Sequence, residues 1–273
     1  MSTPQSPDAV RETVRTAYDA VARTSSSCCA PTCCAPSDLA EALDGVDPKE
    51  VAQALGYSEA DLAAVPDGAN LGLGCGNPQA IAALSPGETV LDLGSGPGFD
   101  CLLAGRAVGP EGKVIGVDMT PSMLERARAS ASEAGLDHVE FRLGTIEHLP
   151  VADRSVDVIL SNCVVNLSPE KRAVFSEAFR VLRPGGRLAI KDILAIGEIP
   201  PDLAGDFVAL TGCVAGAVPV AEIQQLLSEV GFTDVVVDID ASSRELIDSW
   251  MPGRGAGDVV ASASIQARRP ETA

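Results

Sequence analysis

Short apolar runs alternate with helical stretches between residues 89 and 193, and this alternation constrains the fold more than any other feature of the chain. The predicted strands are Thr89–Leu93, Lys113–Val117, Val139–Leu143, Val156–Leu160 and Arg187–Ile193, and the predicted helices between them are Phe99–Val108, Pro121–Ala134 and Pro169–Leu182. Crossover helices make successive strands parallel and cover both faces of the sheet. The sequence therefore predicts an α/β domain with a doubly wound, mostly parallel sheet.

The segments on either side of this region add helices and two late strands. Residues 7–22 place apolar side chains on one helix face, and Asp47 and Ser58 are candidate helix starts. Further helices are predicted over 202–211 and 220–230, and strands over 235–239 and 259–267 bring the sheet to seven. We expect a helical, Cys-containing N-terminal extension (1–70), a Rossmann-like domain (71–198) and a C-terminal part (199–273) that completes the sheet.

The charge balance argues against two classes of partner. The 273 residues carry a formal net charge of −18, whereas nucleic acids and anionic membranes are bound by clustered Lys and Arg. Residues 1–22 lack the features of a secretory signal, and no stretch approaches the length of a membrane span. We expect a cytoplasmic protein that binds neither nucleic acid nor membrane and is a monomer.

A glycine-rich loop follows the first strand of the alternating region. Gly94, Gly96 and Gly98 read G-x-G-x-G, with Asp92 two residues ahead. Glycines allow a tight turn and a close approach of the backbone to a ligand. Asp118 ends the next strand, where a carboxylate can accept both hydroxyls of a ribose. This spacing favours an adenosyl amino acid over a pyrophosphate and resembles motif I of class I S-adenosylmethionine-dependent methyltransferases.

Eight cysteines lie in a chain without an export signal, which favours soft-ligand or redox roles over structural disulfides. Four of them form the tract Cys28-Cys29-Ala30-Pro31-Thr32-Cys33-Cys34. Such a tract can be a separate zinc or copper(I) clamp, or it can capture a thiophilic substrate or relay electrons. Capture or relay is favoured, because zinc sites normally space their ligands as C-x-x-C pairs. Cys101, in an apolar helical run, is predicted to be a core residue.

Two other cysteines are predicted at the ligand edge of the sheet. Cys163 follows the fourth strand, and Cys213 lies in a helix–loop segment that can cover the same crevice. Sulfur is the preferred donor for soft centres. Trivalent arsenic is such a centre: it binds two or three thiolates and keeps a lone pair that can attack a sulfonium methyl group without a base. His138 and His148, the only histidines, are interpreted as surface or locally bonded groups.

Six segments together resemble the arsenite S-adenosylmethionine methyltransferases, over a span from about Asn70 to Arg269. The segments are Gly72–Pro78, Val90–Asp100, Gly116–Thr120, Gly144–Pro150, Ser161–Pro169 and Gly212–Ala217. The resemblance implies that Cys163 and Cys213 are the core arsenic ligands, and that Cys75 joins them or forms a disulfide during the cycle. A fourth family cysteine lies nearer the N-terminus, and its candidates here are Cys28, Cys29, Cys33 and Cys34.

The same resemblance implies contacts along S-adenosylmethionine. It assigns the methionine end to the loop with Asp92, Gly94, Ser95, Gly96 and Gly98, the ribose to Asp118, the adenine surroundings to Met119, Ile146 and Glu147, and the sulfonium region to Asn162.

The expected function is transfer of methyl groups from S-adenosylmethionine to thiol-bound trivalent arsenic, first arsenite and then methylarsenite, as arsenic detoxification. A thiol reductant such as thioredoxin or glutathione is the expected partner. Two alternatives stay open. One is a C- or O-methyltransferase of a small organic metabolite, whose activity would survive thiol blocking. The other is a non-catalytic protein that sequesters arsenic or another metal on the same fold.

Overall fold

The core of the structure is one sheet of seven strands. In chain order they are β1 (Thr89–Leu93), β2 (Lys113–Asp118), β3 (Val139–Leu143), β4 (Val156–Asn162), β5 (Leu182–Ala195), β6 (Thr233–Asp240) and β7 (Val260–Arg268). Their spatial order is β3-β2-β1-β4-β5-β7-β6, and only β7 runs antiparallel to its neighbours. The computed structural model describes residues 6–24, 47–204, 206–251 and 253–272. The predicted α/β class with a mostly parallel, seven-stranded sheet is confirmed.

Helices pack on the sheet and extend from its carboxyl edge. In chain order they are α1 (Pro7–Thr24), α2 (Pro48–Ala54), α3 (Glu59–Ala63), α4 (Gln79–Ala82), α5 (Phe99–Val108), α6 (Pro121–Glu133), α7 (Lys171–Val181), α8 (Pro201–Ala204), α9 (Phe207–Thr211), α10 (Val220–Val230), α11 (Ser243–Trp250) and α12 (Ala256–Val259). Asp47 and Ser58 are N-caps, as predicted. Within the described ranges, no helix combines the length and apolar character needed to cross a membrane.

Local hydrogen bonds explain where the predicted boundaries are wrong. The helix predicted from Pro169 begins at Lys171, because Glu170 has a non-helical backbone and its N–H donates to the Ser168 hydroxyl (3.1 Å). The helix predicted over 202–211 is divided into α8 and α9, since Asp206 caps α9 by accepting the Ala209 N–H (2.8 Å). Helix α11 has no counterpart among the sequence predictions. β6 and β7 join the same sheet as β1 to β5, whereas the division of the chain at residues 70 and 198 stays a prediction.

Successive side chains of the central strands enter two different core layers. On β1, Val90 packs with Val158 of β4, whereas Leu91 packs with Ile159 in a separate cluster. Alternation sends neighbouring residues to opposite faces, so a strand that is apolar at every position must be covered on both. Polar groups are therefore left to the strand ends.

The carboxyl ends of β2, β1 and β4 lie side by side. Leu93 pairs with Val117 of β2 and with Ser161 of β4. Because all three strands are parallel, the glycine loop after β1, Asp118 and Asn162 emerge at one edge of the sheet. This is also the point where the strand order reverses, which is where open α/β sheets bind ligands.

The Gly98→Ala variant tests how tightly the glycine loop is packed. Gly98 has φ +94°, and an added Cβ would lie 2.9 Å from Cζ of Phe141. Gly87 is a matched control, because its φ is +87° but an added Cβ meets no atom within 4 Å. We expect Gly87→Ala to lower the free energy of unfolding by about 1–2 kcal/mol, and Gly98→Ala by about 1–3 kcal/mol more. Urea denaturation measures both, and equal losses would mean that Phe141 moves aside freely.

Candidate active site

A cavity of about 1050 Å³, counted out to its open mouth, lies at the shared edge of β1, β2 and β4. The predicted cofactor contacts in its wall are Asp92, Gly94, Ser95, Gly96, Asp118, Met119, Ile146, Glu147 and Asn162. Gly98 is not among the wall residues and instead caps the start of α5. The fold thus brings together all but one of the residues predicted to surround the cofactor.

The glycine loop is held by main-chain hydrogen bonds to β2. The N–H groups of Gly94 and Ser95 donate to the Val117 carbonyl (2.8 and 3.0 Å). The Gly96 N–H donates to Oδ2 of Asp118 (2.9 Å), and the Thr120 N–H donates to Oδ1 (2.8 Å). Burial raises the pKa of the Asp118 carboxyl above its ordinary value, and the hydrogen bonds from these N–H groups offset only part of that rise. A carboxylate has further lone pairs, so Asp118 can also accept hydroxyl donors from the cavity side.

Two features of the loop fit an adenosyl amino acid. The buried Ser95 hydroxyl has no hydrogen-bond partner among the described residues. A buried polar group without a partner indicates a missing ligand or water. An added Cβ at Gly96 would meet nothing within 4 Å, so open space lies over the backbone.

Two buried carboxyl groups, Asp92 and Asp100, give the cavity an acidic floor. Burial raises the pKa of both, and the charge of Asp100 raises that of Asp92 further. Like charges in one dry site favour a bound cation. S-adenosylmethionine carries an ammonium and a sulfonium, so this floor fits its methionine end.

Helix α1 contributes wall residues that the sequence analysis did not assign to the site. Arg11, Val14 and Tyr18 line the cavity. The Arg11 Nε donates to Glu147 (3.2 Å), which also accepts the Ser168 hydroxyl (2.5 Å). The sequence did contain a signal for this role. The apolar face of the helix, on which Val14 and Tyr18 lie, also carries the guanidinium of Arg11 and the phenol of Tyr18.

Three buried thiols lie close together, and one of them, Cys163, lines this cavity. The Sγ atoms of Cys75 and Cys163 and a carboxylate oxygen of Asp192 all lie within 4.8 Å of one another. The Cys213 thiol donates to the Cys163 carbonyl (2.8 Å). Each of these cysteines is at most 5% exposed. The fold therefore brings together residues that are 88 and 50 positions apart in the chain, counted from Cys163.

Cys163, which follows β4, and Cys213, which follows α9, have an unusual backbone conformation. Cys163 has φ +61° and Cys213 φ +64°, in the left-handed region that non-glycine residues rarely adopt. Asp192 supports the turn that follows Cys163, because its carboxylate accepts hydrogen bonds from the N–H groups of Asn166 (3.1 Å) and Ile193 (2.8 Å). The Asn166 side-chain amide in turn donates to the Cys213 carbonyl (3.3 Å). Strained backbone of this kind is retained at sites whose surroundings over-determine it.

A second cavity, of about 880 Å³ including its mouth, lies on the other side of the thiols. Cys163, Cys213 and Trp250 are among its wall residues. Cys163 lines both cavities, so this residue lies at the boundary between them.

Comparisons with known proteins place this geometry in a family. A family model described as a methyltransferase domain matches residues 84–231. An arsenite methyltransferase of Halobacterium salinarum is 50% identical over 97% of this chain and 68% of its own length. The chain belongs to the arsenite methyltransferase family.

More distant members match shorter segments. The human arsenite methyltransferase is 38% identical over 52% of this chain and 40% of its own length. The crystal structure of an arsenic(III) S-adenosylmethionine methyltransferase from Chlamydomonas reinhardtii superposes with a TM-score of 0.57 at 33% identity, over 82% of this chain and 74% of that one. The methyltransferase fold, and its use of S-adenosylmethionine, extend to this arsenite methyltransferase family member.

The remaining predicted residues have separate surroundings. Cys101 is fully buried in the core, as predicted, and its thiol donates to Asp92 (3.3 Å). His138 is bonded locally, to the Gly105 carbonyl (2.9 Å). Cys28, Cys29, Cys33 and Cys34 lie outside the described residues, so their roles stay predictions.

The thiols of this family member are protonated at neutral pH. Burial raises the pKa of Cys75 to about 11. The hydrogen bond with Cys213 lowers the pKa of Cys163, but contact with Cys75 and burial raise it well above the ordinary value. For Cys213, the hydrogen bond with Cys163 and burial both raise the pKa. Buried thiols of this kind react slowly until a ligand replaces their protons.

We expect alkylation of Cys75 by iodoacetamide to be slow at pH 8 and to accelerate about tenfold per pH unit, because only the thiolate reacts and its fraction rises tenfold per unit below the pKa. Peptide mapping by mass spectrometry measures the rate. In urea the same thiol should titrate with the ordinary pKa of about 8.5. An alkylation rate that stops rising near pH 8 in the folded protein would contradict a raised pKa for Cys75.

Proposed function

We propose that this chain transfers methyl groups from S-adenosylmethionine to trivalent arsenic held by Cys163, Cys213 and Cys75, as a detoxification reaction. The observation that carries the proposal is a cluster of three buried thiols that meets the cofactor cavity at Cys163. Soft thiolates are the donors that a soft centre selects. The names of the relatives agree with this substrate, and the proposal extends it to this chain.

Arsenic binding is a ligand exchange that needs no external base. Arsenous acid and three neutral thiols give three As–S bonds and three molecules of water, since each thiol proton leaves with a displaced hydroxyl group. The raised pKa values of the three thiols fit this exchange, because their protons are present at neutral pH. The burial of the cluster then shields the As–S bonds from hydrolysis.

Methyl transfer needs positioning more than proton chemistry. When bound, S-adenosylmethionine supplies a methyl group on a sulfonium, which is electron-poor. The arsenic lone pair forms the As–C bond as the S–C bond breaks, and no proton is removed. Asp92 and Asp100 hold the cationic end, while Cys163 aims arsenic across the boundary between the two cavities. Such orientation converts a bimolecular encounter into a reaction within one complex.

The transfer oxidises arsenic from the trivalent to the pentavalent state, so each further methylation requires two electrons. We propose that a thiol reductant such as thioredoxin or glutathione supplies them. The four described cysteines are free thiols, which fits a cytoplasmic location. A monomer contains every residue assigned to the site.

The Cys163→Ser and Cys213→Ser variants test the proposal. We expect each to lower arsenite methylation at least 100-fold, because a hydroxyl is a hard donor and does not retain arsenic. S-adenosylmethionine affinity, measured by calorimetry, should stay within about threefold, since the acidic floor and Asp118 are unchanged. Product is measured by chromatography with arsenic detection.

Cys101→Ser is the matched control, because that thiol is equally buried but lies outside the cluster, and a serine hydroxyl can keep its hydrogen bond to Asp92. Intact-mass measurement should show one bound arsenic fewer in Cys163→Ser than in this control. Wild-type protein that binds arsenic and cofactor but gives no methylated product would favour sequestration. Methylation unchanged in the serine variants would remove those residues from the site.

Arsenite affinity should not depend on pH between about 7 and 8. The exchange consumes neutral thiols and neutral arsenous acid and releases water, so no net proton is gained or lost. Fluorescence of Trp250, the only tryptophan, reports binding because this side chain lines the cavity shared with Cys163 and Cys213. Affinity that rises about tenfold per pH unit would show that binding releases one net proton to solvent, which would contradict this exchange.

A further inference from the structure

The side-chain amide of Asn162 joins the Cys75 loop to the floor of the cofactor cavity. Its Oδ1 accepts the Cys75 N–H (3.0 Å), and its Nδ2 donates to the Gly76 carbonyl (2.8 Å). The same Nδ2 lies 3.2 Å from Oδ2 of Asp100 and 3.1 Å from the Tyr57 hydroxyl. One amide therefore contacts both the main chain of an arsenic-ligand candidate and a carboxylate of the acidic floor.

The Nδ2 group of Asn162 has more acceptors than hydrogens. An amide nitrogen carries two hydrogens, but three oxygens lie within 3.2 Å, on Gly76, Tyr57 and Asp100. The Tyr57 hydroxyl donates to Oδ1 of Asp100 (2.8 Å), which links two of these acceptors to each other. The hydrogen bonds of this group therefore shift whenever Asp100 gains another partner.

The loop that carries Cys75 is closely packed on both sides. An added Cβ at Gly74 would lie 2.8 Å from Nδ2 of Asn162, and one at Gly76 would lie 2.8 Å from the Lys191 side chain. On the other side of the loop, the Ser262 hydroxyl donates to the Cys75 carbonyl (2.6 Å). A displacement of Asn162 is transmitted to Cys75, because close-packed groups move together.

We propose that Asn162 is a positioning residue that couples the two sites, so that occupancy of the cofactor cavity and capture of arsenic by Cys75 favour one another. This inference rests on the proposed function. A cationic ligand beside Asp100 takes one of the three acceptors of the Asn162 amide and leaves its two hydrogens to Gly76 and Tyr57, and the bond to Gly76 secures Cys75 next to Cys163. The coupling is reciprocal: arsenic on Cys75 holds the loop and orders the amide against the floor.

A thermodynamic cycle with S-adenosylhomocysteine measures this coupling, because this ligand keeps the ammonium but has no methyl group to transfer. Its dissociation constant is measured by calorimetry with and without arsenite, and that of arsenite by Trp250 fluorescence with and without S-adenosylhomocysteine. We expect each ligand to tighten the other by the same factor, about 5-fold or more. In Asn162→Leu the factor should fall to about 1.

Asn70→Ala is the matched control, because Asn70 is also an amide in the cavity wall but bonds to Pro48 and Gly72 rather than to Cys75. A variant that only perturbs the structure changes the affinity for one ligand by the same factor with and without the other ligand. This control should therefore keep the coupling factor. Cys75→Ala should bind arsenic through Cys163 and Cys213 but lose the coupling, which provides a second test if Asn162→Leu does not fold.

A coupling factor of 1 in the wild-type protein, or an undiminished factor in Asn162→Leu or Cys75→Ala, would overturn the inference. If the wild-type protein methylates arsenite normally while either result is obtained, the proposed function stands and only the coupling fails. Absence of methylated product would instead contradict the proposed function, whatever the cycle shows.

Discussion

The parallel pairing of β1 with β2 on one side and β4 on the other is the constraint on which the site depends. Parallel strands end at a common edge, so the glycine loop, Asp118 and Asn162 are neighbours although long stretches of chain separate them. This pairing requires apolar residues on both faces of each strand. The chemistry is therefore confined to the residues that follow the last apolar position of each strand.

Desolvation then decides what the groups at this edge can do. The carboxyl groups of Asp92 and Asp100 are costly in a dry cavity without a cation, and the buried thiols of Cys75, Cys163 and Cys213 stay protonated. A cationic cofactor offsets the cost of the buried carboxyl groups, and arsenous acid replaces the protons of the buried thiols. The left-handed backbone at Cys163 and Cys213 adds strain, which the hydrogen bonds of Asp192 and Asn166 offset.

Much of the fold was predictable because its periodicity is local. β1 and β3 begin and end as predicted, and so do α5 and α10, since each has an apolar pattern bounded by glycine, proline or a charged residue. The predictions failed where a side chain acts on a neighbouring segment. Asp206 divides a helix in this way, and α11 packs its apolar residues against elements distant in sequence.

The sequence by itself determined the strand, loop and helix around Gly94–Gly98, the acid at the end of β2, Cys163 after β4 and Cys213 in a helix–loop segment, because each depends on residue type and local spacing. Only the tertiary structure decided that Cys75 and Asp192 lie within 4.8 Å of Cys163, that α1 closes one wall of the cavity, and that Asn162 touches both the thiol loop and the acidic floor. These contacts join distant segments, and their distances follow from packing around the sheet rather than from any local pattern.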